Sequence, residues 1–322
     1  MIEKLVSVII TTYNRKDQLS ITLETILKQT YKNIEIIVVD DCSTDGTREL
    51  IEGKFLKSDC RIKYIRCSKN SGLAAARNKG ILNSIGKYFT FCDDDDLWMP
   101  NFIEEFVKVA SMYNSEWCFC CSGKYNNFLG TEIVSTFQYE GQLKNLIKEG
   151  FTPPVASQFY NLSSIKKING YNTKVKTGVD HDLWIRLAKI GIKIKYIPKV
   201  LSIPNTNVRQ LRMTNNYNHR LNEIKNTLLI WKNDLTEIYG NEFYLKFCNA
   251  YLLRERLKFL ISFLKDFNFI MVLEIKKDIP LFIFFKNLIF LFTKGLLKIF
   301  IPKIFISKKK NIKVQPTLKI YG

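Results

Sequence analysis

Tyr88-Phe89-Thr90-Phe91-Cys92-Asp93-Asp94-Asp95-Asp96-Leu97-Trp98 sets four consecutive carboxylates directly behind an apolar run. Like charges this close repel, so the run gives folding nothing by itself, whereas a cation that offsets the repulsion gives it a purpose. Oxygen-only ligands suit a hard divalent ion such as Mg²⁺ or Mn²⁺. The bland alternative is a solvated acidic turn. The context favours a ligand site, because residues 88–92 read as a buried strand and open α/β sheets bind ligands beyond the carboxyl ends of their strands. The run is not an EF-hand loop: its sixth position, where that loop needs glycine, is Trp98.

The flanking sequence alternates between two periods. Leu5-Val6-Ser7-Val8-Ile9-Ile10 is a β-branched strand, and residues 17–29 follow with Leu19, Leu23, Ile26 and Leu27 at helical spacing. The same reading predicts strands at 34–39, 62–65, 87–92 and 116–122 and helices at 44–57, 72–84 and 100–113, with Pro100 at the start of the last. Continuous apolar strands alternating with amphipathic helices predict an α/β fold: a mostly parallel sheet with helices on both faces. From 123 to 204 the pattern is looser, with one clear helix at 180–189, and beyond Asn205 the chain reads as helical. The expected divisions are therefore 1–122, 123–205 and 206–322.

The totals fit a globular chain of 322 residues, 46% hydrophobic and 25% charged. Its formal charge of +19 is uneven: residues 206–322 hold 21 basic and 8 acidic side chains. This polarity predicts a catalytic or binding body joined to a basic tail that meets something anionic. Of the eight cysteines, Cys118-x-Cys120-Cys121 has no second ligand pair nearby, and the two histidines are His181 and His219, so a zinc site is not expected. The opening residues read as a strand rather than a secretory signal, which makes reducing cytosol the expected compartment.

Two further turns close strands of the same sheet. Thr11-Thr12-Tyr13-Asn14 follows the first strand and Asp40-Asp41-Cys42-Ser43-Thr44-Asp45-Gly46 the second, so both should line one crevice. Tyr13 can stack on a base and Asp41 can accept from a base N–H, although Asp, Ser and Gly also populate ordinary turns. In Asn70-Ser71-Gly72-Leu73-Ala74-Ala75-Ala76-Arg77-Asn78, small residues at a helix entry permit close backbone approach, and Arg77 lies one turn in. Neither a P-loop nor a G-x-G-x-x-G motif is present, so phosphates would be neutralised by a metal and Arg77 instead of a glycine cradle.

In this order the segments resemble family 2 glycosyltransferases of the GT-A fold, which move sugars from nucleotide-sugar donors. The matching text is Val6–Arg15, Val38–Thr47, Asn70-x-Gly72-x-x-x-Ala76-Arg77-Asn78 and Phe91–Trp98, and the resemblance runs over 5–205. It implies that Thr11, Tyr13 and Asp41 contact the nucleotide and that Arg77 helps to hold the donor. Asp93 and Asp95 match the family's D-x-D element, with Asp95 on Mn²⁺ or Mg²⁺ and Asp93 or Asp94 toward the ribose or the ion. Asp94-x-Asp96 has the same spacing, but Trp98 and Pro100 downstream favour the first register. The family also places a catalytic carboxylate at the start of a later helix. Here the text is Gly178-Val179-Asp180-His181-Asp182-Leu183-Trp184, with Val179 where glutamate is usual. Asp180 is therefore the expected general base, His181 its titratable rival, and Asp182 a capping or acceptor-contact residue.

The implied reaction is inverting transfer of a hexosyl or N-acetylhexosaminyl group from a UDP-sugar to a hydroxyl of a lipid-linked, lipopolysaccharide or capsule-type glycan. Residues 279–322 contain nine lysines and no acidic residue. Lys286, Lys294 and Lys298 share about one third of a helical circumference, which describes a helix lying on anionic headgroups; a core-packed helix with snorkelling lysines is the alternative. The expected location is thus peripheral, on the cytoplasmic face of the membrane. Two other classes compete. A nucleotidyltransferase acting on sugar phosphates would open with a glycine- and basic-rich loop that 11–14 lacks. A non-catalytic basic protein binding lipid or nucleic acid fits the charge, but no recognised nucleic-acid module is present, and nucleic acid is not an expected partner.

Overall fold

All seven residues of β1 (Val6–Thr12) are buried, as are all seven of β2 (Ile34–Asp40), which is the signature of central strands covered on both faces. The structure is a computed structural model and describes residues 4–126, 132–134, 139–150, 153, 158–204 and 217–265. The expected membrane-surface segment 279–322 lies outside the described residues.

The described residues fall into two units, one ending at 204 and the other spanning 217–265. In the first, β1 is followed by α1 (Lys16–Leu27), β2, and then α2 (Thr47–Leu50), a π-turn (Ile51–Phe55) and α3 (Leu56–Ser58). Next come β3 (Ile62–Arg66), α4 (Leu73–Leu82), β4 (Tyr88–Asp93), β5 (Asp96–Trp98), α5 (Phe102–Ala110) and β6 (Trp117–Asn126). The remainder is β7 (Glu132–Val134), β8 (Glu140–Gln142), α6 (Leu143–Lys148), β9 (Gln158–Asn161), α7 (Leu162–Lys167), α8 (Val179–Lys189) and β10 (Lys193–Pro204).

The strands join in the order β3-β2-β1-β4-β9-β6-β10-β5, with β7 on β6 and β8 on β10. The first four are mutually parallel; β9 enters antiparallel to both β4 and β6, so the parallel half ends at β4. Alternation within the strands sends Val6, Val8 and Ile10 to a core with Leu19, Leu23 and Ile26 of α1 and Phe102 and Phe106 of α5. Ile37 and Val39 pack instead with Ala76 of α4 on the opposite face. Trp98 stacks on Phe102 at 4.0 Å between centroids and Phe106 on Phe159 at 5.1 Å, which ties the two halves of the sheet together.

Two expectations need correction. The helix expected over 44–57 starts only at Thr47, because Gly46 is left-handed (φ 87°) and Asp45 accepts from the Thr47 N–H at 3.1 Å as a local cap. Its middle then widens into the π-turn. Pro100 precedes α5 rather than opening it, since Asn101 lies between Pro100 and the first helical residue, Phe102.

α4 lies so close to β1 that a Cβ built on Gly80 would stand 2.4 Å from Cγ2 of Ile9. Gly80→Ala should therefore cost about 1–3 kcal/mol by overpacking. Gly53→Ala, whose Cβ meets nothing within 4 Å, is the matched control in a denaturant titration and should not destabilise.

The second unit contains α9 (Tyr217–Tyr239) and α10 (Asn241–Lys265), joined at left-handed Gly240. Trp231 of α9 meets Tyr251 of α10 edge-on at 5.6 Å, and the Tyr244 hydroxyl donates to the Leu228 carbonyl. Among the described residues no helix is long and apolar enough to cross a membrane.

Candidate active site

Register places the carboxyl ends of β1, β2 and β4 side by side: Thr11 lies opposite Val39 on one flank and Asp93 on the other, and Thr12 lies opposite Asp40. The turns that follow are bonded to one another. Asn14, left-handed at φ 53°, donates its N–H to the Ser43 hydroxyl and accepts from the Thr44 N–H. Tyr13 stays 46% exposed at this edge, as a residue offering a stacking surface would have to be.

Asp41 is buried, and its carboxylate accepts from the backbone N–H groups of Ser71 and Gly72, at 2.9 and 2.7 Å. It thereby fixes the loop before α4, for which Gly72 takes a positive φ. A carboxylate offers roughly four acceptor positions, so these bonds leave capacity for a base N–H.

The four aspartates have four different surroundings. Asp93 accepts from Arg77 at 2.8 Å. Asp94 is buried and takes the Thr12 hydroxyl at 2.7 Å and an Arg15 Nη1 at 3.0 Å. Burial pushes its pKa up to about 6, with Thr12 and Arg15 pulling the other way. Asp95 accepts from the same Arg15 Nη1 at 3.1 Å. Asp96 is buried in β5, and burial together with its three acidic neighbours raises its pKa well above the carboxylate range. The Thr22 hydroxyl of α1 reaches the Asp94 and Asp96 carbonyls, at 3.1 and 3.0 Å, and ties that helix to the turn.

The side chains of Asp93 and Asp95 are 34% and 29% exposed. Among the described residues no group of three His, Cys, Asp or Glu side chains could hold a metal by itself. Mg²⁺ and its analogues, however, commonly take one or two carboxylates and complete their shell with substrate phosphates and water. The half-buried, oxygen-only pair Asp93 and Asp95 fits that chemistry.

Arg77 is 2% exposed and joins the two halves of the sheet. One arm reaches Asp93; the other reaches Asp180 Oδ1 at 2.7 Å, at the start of α8. Burial alone would lower its pKa, but Asp180, Tyr171 and Asp93 outweigh burial and raise it well above the usual value. For Asp180 the balance falls the other way: burial raises its pKa despite Arg77. A carboxylate made more basic in this way is suited to taking a proton.

His181, the rival base, lies beside Trp184 with ring centroids 5.1 Å apart. Asp182 departs from its expected role as cap or acceptor contact: it is buried and bonded to Arg186 at 2.7 Å. Arg186 in turn donates to the Ile168 and Gly170 carbonyls, which explains a buried carboxylate one turn away.

The structure thus brings Thr11, Asp93, Arg77 and Asp180 to one edge, with Asp94 and Asp95 beside Arg15. Sequence reasoning gave no role to Thr12, Arg15, Asn78 or Tyr171. For Arg15 a signal existed, a cation one residue beyond the first turn and so within reach of the acidic run. Tyr171 carried only its place behind a glycine.

A family profile described as Glycosyl transferase family 2 matches residues 7–157. The chain is 33% identical over 198 residues to UDP-Glc:alpha-D-GlcNAc-diphosphoundecaprenol beta-1,3-glucosyltransferase WfaP of Escherichia coli, covering 60% of this chain and 73% of that one. It is 43% identical over 101 residues to the putative teichuronic acid biosynthesis glycosyltransferase TuaG of Bacillus subtilis, covering 31% and 40%. It spans only 34% of an uncharacterized Rickettsia felis glycosyltransferase to which it is 36% identical over 214 residues, 63% of its own length. It likewise spans 20% of glycosyltransferase GlyA of Streptococcus pneumoniae, at 38% identity over 141 residues and 44% of its own length. Among solved structures, S. aureus TarS 1-349 in complex with UDP-GlcNAc shares the fold at TM-score 0.60 and 21% identity, over 72% of this chain and 66% of that one.

Proposed function

This chain belongs to glycosyl transferase family 2 and has the GT-A fold; on that premise we propose that it is an inverting glycosyltransferase using a UDP-sugar. The acceptor is a hydroxyl of a lipid-linked or cell-surface glycan, met at the cytoplasmic face of a membrane to which the basic segment 279–322 binds. One observation carries the catalytic reading: Arg77 ties Asp93 of the acidic run to Asp180 of α8, so a basic carboxylate stands beside the edge where a diphosphate would be held. The UDP-sugar follows from the printed activity of the E. coli relative and from the UDP-GlcNAc complex of the S. aureus neighbour.

In this reading Tyr13 stacks on the base, Asp41 accepts from it, and Thr11 and Asp94 line the nucleotide with Asp93 toward the ribose. Asp95, with Asp93, would hold Mn²⁺ or Mg²⁺, which when bound offsets the charge on the departing diphosphate. Arg77 holds Asp93 and Asp180 in fixed relation. Asp180 takes the proton of the acceptor hydroxyl as that oxygen attacks the anomeric carbon opposite the leaving group. One displacement inverts the centre, and no covalent sugar–protein bond forms.

The test is UDP release from a panel of UDP-sugars with Mn²⁺ and a diphosphate-linked glycan acceptor. Asp95→Ala should lose Mn²⁺-dependent donor binding in calorimetry and acceptor-dependent UDP release alike. Retention of both would remove Asp95 from the role, and no release by the parent protein from UDP-, GDP- or dTDP-sugars would overturn the reading.

A further inference from the structure

Asp180 is the second residue of α8, and what precedes that helix is held by α4 from the other half of the sheet. The Asn78 side chain donates to the Tyr171 carbonyl at 2.8 Å and accepts from the Tyr171 N–H at 2.7 Å, a two-point grip on one residue's backbone. The fit is close: a Cβ on Gly170, itself at φ +68°, would stand 2.4 Å from the Asn78 Oδ1. From the other side, Arg186 of α8 binds the Ile168 and Gly170 carbonyls. The Tyr171 backbone is thus pinned from two helices.

Its side chain completes a triangle. The Tyr171 hydroxyl accepts from Arg77 Nη1 at 3.2 Å and donates to Asp180 Oδ1 at 3.3 Å. Its ring meets Phe91 of β4 edge-on at 5.3 Å and lies 5.2 Å from the Arg77 guanidinium. Burial raises the phenol's pKa, so it remains a neutral donor. Both bonds to Asp180 fall on Oδ1, and Oδ2 takes none among the described residues. A carboxylate tethered through one oxygen presents the other to a substrate proton in a fixed direction.

We propose that Tyr171 is a positioning residue for the general base. Held by Asn78, it and Arg77 fix Asp180 by one oxygen, so that Oδ2 meets the acceptor hydroxyl. This rests on the assignment of Asp180 as the base. Tyr171 itself touches no reacting atom.

Tyr171→Phe removes one oxygen and keeps the ring contacts. It should lower kcat roughly tenfold, as loss of one hydrogen bond to a charged group would, with donor KM and UDP affinity within about twofold. Its Tm should stay within about 3 °C of the parent. Because Tyr171 acts through Asp180, Asp180→Asn/Tyr171→Phe should have the residual rate of Asp180→Asn alone. Asn78→Ala, which frees the Tyr171 backbone, should repeat the kcat loss with UDP affinity kept. An unchanged kcat in Tyr171→Phe, a loss of donor affinity equal to the loss of rate, or a multiplicative loss in the double variant overturns the proposal. A fully active Asp180→Asn sinks the assignment of the base instead, so the two failures are distinguishable.

Discussion

Asp180→Asn is expected to lower acceptor-dependent UDP release by roughly 10²–10⁴-fold, the usual contribution of a positioned base. Asparagine keeps an oxygen for Arg77 and Tyr171, so the shape of the triangle survives while the basic oxygen pair is lost. With the donor assigned to Tyr13, Asp41 and the acidic run, as proposed, its affinity should change by less than about twofold, so the loss appears in kcat at saturating acceptor and donor. His181, one residue on, is the rival: if it were the base, His181→Ala would carry the loss and Asp180→Asn would turn over normally. Parallel kinetics of the two variants, with isothermal titration of UDP, decide between them.

Arg77→Met should be strongly destabilising. The methionine fills much of the volume but strands the largely buried Asp180 without its cation, and leaves the one-third exposed Asp93 to water. Removing one partner of a buried pair costs about 3–5 kcal/mol, which for a protein of this size lowers Tm on the order of 10 °C. The sign of the pH dependence follows from Asp180. Burial already raises its pKa with Arg77 present, and without Arg77 it rises further. The folded variant then binds this proton more tightly than the unfolded chain does. Its deficit against the parent is therefore largest above that pKa and narrows as the pH falls through it. Thermal melts at several pH values check this, and a deficit that widens on acidification would contradict it.

The parallel half of the fold was legible because its strands are continuous apolar runs and its helices carry their own period. Val6, Val8 and Ile10 announce a central strand without any knowledge of partners. The acidic quartet was legible for a related reason, since repulsion among neighbours in sequence is a local fact. Arg77 was not. Helical spacing gives its direction but not its depth, and its burial follows from two carboxylates 16 and 103 residues away. Asp182 misled for the same reason: its position relative to Asp180 is set by the helix, whereas its burial is set by Arg186 and the carbonyls that Arg186 must satisfy. Tyr171 bears no charge and no motif, and its role exists only once Asn78 grips it.

The separation of Arg77 from Asp180 also bears on how the chain is made. A ribosome adding about 5–20 residues each second exposes Arg77 some 5–20 s before Asp180, because 103 residues divide them. During that interval Asp93 is the one member of the pair available to neutralise the guanidinium. In the nascent amino-terminal half Arg77 and Asp93 can therefore already neutralise each other, and what arrives later with α8 is a second carboxylate, which joins an ion pair formed before it.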